Sequence, residues 1–182
     1  MRDTMITPEY VSKMAFYNQW MNDKLYAAAR ALPEDALSAE RGAFFGSIIG
    51  TLNHIVVGDT LWLKRFTDHP APFESLDPIR ELDRPDTLDQ ILFSDLRELS
   101  ARRTMIDSVI VQWAEELTEA DLREVIAYNN MKGVGARKTL AALLVHCFNH
   151  QTHHRGQATT LLTQAGQDVG VTDILALMRD VE

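Results

Sequence analysis

Apolar residues recur at helical spacing through four long stretches of this chain, and proline or glycine closes most of them. A period near 3.6 lines up Met14, Tyr17, Met21, Leu25, Ala28 and Leu32 as one stripe, which a helix can bury only by packing against other helices. Thr7-Pro8-Glu9 supplies a capping hydroxyl, a proline for the first turn and an early acid, so the first helix is expected over 8–32, ahead of Pro33. The second, expected over 46–66, carries Ile48, Leu52, Ile55, Val56, Leu61, Trp62 and Phe66. Four prolines make 68–85 a connection, after which Thr87 can cap a third helix over 88–116. Alternation from Glu124 to Met131, followed by Gly133 and Gly135, predicts a short two-stranded hairpin within 118–138. Thr139 then opens a fourth long helix that ends near Gly166, and a short helix is expected over 173–180. Such a pattern describes an all-α fold, a four-helix bundle with two crossover connections. At 182 residues, 46% of them hydrophobic, the chain has material for one core, and 1–182 is expected to form one domain.

The fourth helix carries the chemistry. Four of the six histidines fall within nine residues, in His146-Cys147-Phe148-Asn149-His150-Gln151-Thr152-His153-His154. A helix turns about 100° and rises about 1.5 Å per residue, so His150 and His154 share one face about 6 Å apart, where two imidazoles can grip one metal ion. Hydrogen-bonded or exposed histidines without an ion are the alternative. Zinc or nickel held by histidine usually needs a third protein ligand, and a catalytic site keeps a further position open. Of the two other histidines, His69 lies in the proline-rich link and is expected to be exposed. His54 sits mid-helix among core-type neighbours, and a matching pair on another helix makes it the third candidate.

Around His54, Ser47, Gly50 and Gly58 give the helix a small-residue face, open either to a pocket or to close helix packing. Gln157 projects between His150 and His154 one turn on, where its amide could orient a ligand nitrogen or stand exposed. His146, His153 and Cys147 are assigned no ligand role. Asp59 falls about 140° from His54 and is expected in surface or capping contacts. No general acid or base accompanies the three histidines, so no catalytic residue is assigned. Phosphate-loop, nucleophile-elbow and carboxylate di-iron patterns are all lacking.

A net charge of −8, with scattered Lys and Arg, argues against nucleic acid as a partner and leaves small molecules or protein. The single cysteine excludes an intramolecular disulfide and fits a reducing compartment. With no 18-residue apolar run and a polar start at Met1-Arg2-Asp3-Thr4, no membrane association is expected and the location is taken as cytoplasmic.

Asn149-His150-Gln151-Thr152-His153-His154-Arg155-Gly156-Gln157, together with Leu52-Asn53-His54, Leu61-Trp62 and Tyr17-Asn18-Gln19-Trp20-Met21-Asn22, resembles the DinB family of the DinB/YfiT-like superfamily, in order and over nearly the whole chain. The resemblance implies an up-down-down-up bundle, a divalent metal held by His54, His150 and His154, and a homodimer. It also places Tyr128 and Gly133 in a hairpin ahead of the last long helix. Relatives include transferases and isomerases that use glutathione, mycothiol or bacillithiol, so a low-molecular-weight thiol is the implied cosubstrate. Gln157, Trp20, Asn22 and Tyr128 would then shape access for a small-molecule substrate. A metal-dependent hydrolase and a non-catalytic metal- or ligand-binding protein stay open as alternatives.

Overall fold

Four long helices carry the fold in this computed structural model, which describes residues 6–180. The Thr7 hydroxyl accepts the N–H of Tyr10, Pro8 fills a position where no N–H is needed, and α1 runs Pro8–Arg30. A one-turn α2 (Glu34–Ser38) leads to α3 (Ile48–Phe66), capped by the Ser47 hydroxyl on the N–H of Gly50. The connection beyond it holds a 3-10 turn, Glu74–Leu76, and a short α4 (Asp77–Arg80).

Helix α5 spans Leu96–Glu116, eight residues later than the Thr87 signal predicted, with the Asp95 carboxylate on the N–H groups of Arg97 and Glu98. Side chains of α3 explain the delay. A helix from 88 would need the N–H of Leu92 to bond the carbonyl of Leu88. Asn53 takes that N–H at 2.8 Å and His54 takes that carbonyl at 2.7 Å, so the segment crosses α3 as an irregular strap of turns and bends.

Thr118 and Asp121 form a capping box for α6 (Glu119–Arg123). The predicted hairpin follows: β1 (Val125–Asn129) pairs antiparallel with β2 (Gly135–Thr139), in register from Val125↔Thr139 to Asn129↔Gly135. The Asn130 side chain accepts the N–H groups of Lys132 and Val134 in its turn, and Gly133 takes the left-handed conformation there at φ +77°. Thr139 caps α7 (Leu140–Gln164). In place of a helix over 173–180 there is one 3-10 turn, Ile174–Leu177; it buries none of its residues, and without packing a short helix does not persist.

Contacts along the long helices give their directions. From α1 to α5, Ser12 meets Ala114, Asn22 meets Asp107 and Arg30 meets Ser100, an antiparallel pair. From α3 to α5, Asp59 meets Arg103 and Phe66 stacks on Trp113, a parallel pair. From α3 to α7, His54 meets His154 and Trp62 meets His146, antiparallel again. With α1 also packed on α7, the four form a ring running up, down, down, up.

Apolar side chains such as Leu25, Ile48, Leu52, Ile106 and Leu162 fill the interior. One layer is polar. Arg103 lies buried between Asp59 and Asp107, approaching the latter at 2.9 Å off the hydrogen-bonding direction. Asn18 and Asn22 donate to Asp107, Gln151 donates to Asp59 at 2.9 Å, and Arg155 donates to the Asn18 carbonyl. Asp59 is therefore an interior residue, not the surface or capping group that its angle from His54 suggested.

Candidate metal centre

His54 projects from the middle of α3, and His150 and His154 project from successive turns of α7. Because the helices run antiparallel, the three rings meet. The Nε2 of His54 stands 3.2 Å from that of His150 and 3.1 Å from that of His154. Ligand nitrogens at 2.0–2.1 Å from one tetrahedral ion would be separated by about 3.3 Å, so this spacing fits a shared cation. One ligand atom from each of the three histidines lies within 4.8 Å of the other two.

The other ring nitrogens fix the tautomers of His54 and His154, while Nδ1 of His150 is buried without a partner. Nδ1 of His54 donates to the Leu88 carbonyl at 2.7 Å, and Nδ1 of His154 donates to Oε1 of Gln157 at 2.8 Å. Each bond keeps the proton on Nδ1 and leaves Nε2 with a bare lone pair aimed into the cluster. Lone pairs that converge at this distance repel unless a cation lies between them. Burial holds all three imidazoles below the ordinary histidine range; His150 falls to about 3, helped by the neighbouring His154 and His54. All three are thus neutral near pH 7, the form that binds metal.

Packing holds the rings in place. Phe45 stacks on His54 with centroids 3.8 Å apart and meets His154 edge-on. The carbonyl of Phe45 occupies the place of a side chain at Gly50, where a Cβ would lie 2.1 Å from it. The His150 ring rests on Gly58 in the same way, 2.7 Å from where a Cβ would stand. The small-residue face of α3 therefore serves close packing, and Gly58 also borders a cavity.

That cavity, about 440 Å³, begins at His150 and Gly58 and runs past Trp62 and His146 to Arg65 and the hairpin residues Tyr128 and Lys132. Gln157 and Tyr128 are thus found beside the histidines or in the adjoining cavity. Trp20 and Asn22 are not. Asn22 turns inward to both oxygens of Asp107, while Trp20 lies beside Tyr17 and under the Lys24 ammonium.

Burial pushes the Cys147 thiol well up, and Cys147 packs in the apolar core. His69 is buried, in place of the exposure expected: its Nδ1 accepts the Ala71 N–H and its Nε2 donates to the Asp121 carbonyl, pinning the proline-rich link to α6. Arg65 was not singled out from the sequence, and His146 was noted there only as having no ligand role. Arg65 follows Trp62 by just under one turn and Gly58 by about two turns, a spacing that could have placed it on the cavity face.

Fold and site together define a helical protein whose candidate centre is three neutral imidazoles shared between two antiparallel helices. The chain belongs to the DinB family, whose family model matches residues 3–181. It is 26% identical over 165 residues to protein DinB of Bacillus subtilis (strain 168), covering 91% of each chain. In fold it is similar to a DinB-like protein of Bacillus cereus ATCC 10987 known from a crystal structure. The TM-score is 0.57 at 20% identity, over 84% of this chain and 90% of that one.

Proposed function

We propose that this protein is a metal-dependent enzyme that holds one divalent ion, zinc or nickel, through His54, His150 and His154, and uses a low-molecular-weight thiol to attack a small electrophile. The observation that carries the reading is the convergence of three histidine Nε2 atoms, that of His54 standing 3.2 and 3.1 Å from those of His150 and His154, beside an accessible cavity. The thiol rests on the family resemblance. A divalent ion at this position would supply positive charge that lowers the pKa of a thiol or water brought to it.

The chain's own residues do the rest. Leu88 and Gln157 keep the Nδ1 protons of His54 and His154 in place and their Nε2 atoms free. Phe45 stacks on the His54 ring, which is buried away from water. His146 faces the cavity with its ring 6.1 Å from that of His150, an imidazole able to take the proton that a bound thiol gives up.

Metal analysis tests the ligand set directly. After dialysis against zinc, the wild-type protein should retain about one ion per chain, and the variant carrying His150→Ala and His154→Ala should retain none. Full metal content in the double variant would overturn the assignment. In cobalt-loaded protein a small thiol should produce a new near-ultraviolet band that His54→Ala abolishes; no band with any of several biological thiols would exclude the thiol reaction.

A further inference from the structure

We infer that the cavity beside the three histidines ends in a carboxylate-binding subsite anchored by Arg65, so that the small molecule acted on here carries an anionic group about 10 Å from the end that reaches the histidines. The inference rests on the reading of those histidines as the reacting centre.

Arg65 is a cation held in place without a counter-charge. Its guanidinium lies over the rings of Trp62 and Tyr128, 4.3 and 5.0 Å from their centroids, and one Nη donates to the Asn129 carbonyl at 3.2 Å. The aromatic faces fix its plane. Its Nε is buried and has no hydrogen-bond partner, and among the described residues no carboxylate lies within ion-pair distance of it. A partly desolvated donor of this kind is stabilised by an anion that completes its bonds.

The surroundings agree. The cavity wall includes Lys132 and no Asp or Glu, and Arg84 lies close enough for its charge to act on Arg65. In a chain of net charge −8, a cavity walled by two cations and no acid is a local reversal of sign that favours an anion.

Geometry sets the length. The ring of His150 rests on Gly58, and Arg65 stands two turns further along α3 on the same wall. Seven residues at about 1.5 Å each put the backbone of Arg65 about 10 Å along α3 from Gly58, which sets the scale of the separation between the two ends. Between them the wall is Leu61, Trp62 and Leu88, suited to an apolar or planar linker.

Calorimetry with simple probes tests the subsite. Metal-stripped wild-type protein should bind straight-chain alkanoates roughly tenfold or more tightly than alkanols of equal length, the ratio a charge-assisted hydrogen bond supplies. Arg65→Gln should remove the preference at unchanged helical content, and Arg65→Lys, which keeps the charge without the fork, should retain part of it. In zinc-loaded protein, ω-mercaptoalkanoic acids should gain over alkanoates, most at chain lengths that span about 10 Å. Equal binding of acid and alcohol, or a preference that survives Arg65→Gln, would overturn the subsite. A preference intact in the stripped protein, with no gain from the thiol in the loaded one, would leave the subsite standing and remove the thiol reading instead.

Discussion

A methyl group added at Gly58 would stand 2.7 Å from Cε1 of His150, closer than packed carbons come. The ring is the only one of the pair free to yield, so Gly58→Ala should swing His150 out of line with His54 and His154. A metal titration should show roughly a ten- to hundredfold loss of affinity, the scale of other changes that misorient a ligand, with helical content preserved. Acidity acts on the same residue. The unfolded chain protonates histidine near pH 6.5, whereas folded His150 stays neutral down to about 3. Because the unfolded state then binds more protons, metal-free stability should fall as pH drops below about 6.5 and go on falling toward the folded value. The midpoint of thermal unfolding, followed from pH 6.5 to 4.5 without metal, should drop less in His150→Ala than in wild type; equal slopes would mean that His150 titrates normally in the fold. The convergence of His54 with His150 and His154 was legible from helical arithmetic on one pair and from His54 being the one remaining histidine that falls within a helix. Asn22 was misread because its amide, four residues from that of Asn18, serves an interior carboxylate that no local pattern announces.

Helix α7 shows how one element does two jobs. His150 and His154 face the candidate centre, while Gln151 and Arg155, each one residue on and about 100° around, enter the polar layer. Asn18 with Asn22 on α1 and Arg103 with Asp107 on α5 repeat the four-residue spacing, and Asp59 completes the layer from α3. Removing one member leaves the others buried and unmatched. Arg103→Met, which strands Asp59 and Asp107, should therefore cost about 3–5 kcal/mol by urea denaturation. A loss under about 1 kcal/mol would show that water enters to replace the guanidinium. Elements built by local rules were readable: the Thr7 and Thr139 caps and the hairpin between α6 and α7 lie where their residue types place them. The start of α5 was not, because the competitors for its first hydrogen bond, Asn53 and His54, are some forty residues away in sequence and visible only once α3 is folded beside the strap.

At the scale of the whole molecule, periodicity and length disclosed the helical class and the small hairpin, and the family match accounts for nearly all of the chain. The arrangement of charge was not disclosed, since a composition of −8 says nothing about the cations gathered round one cavity. Nor does composition report time. His54 and His150 are 96 positions apart along the chain, so the contact between α3 and α7 is made across more than half of its length. Closing so long a loop comes late in assembly, after the local helices exist. An ion bridging those helices would then be absent from the folding barrier and would have to be released before the chain could open. Zinc should leave the refolding rate measured by stopped-flow nearly unchanged and slow unfolding by about tenfold or more. The three histidines would in that case set how long each folded molecule survives, a property governed by escape rather than by equilibrium.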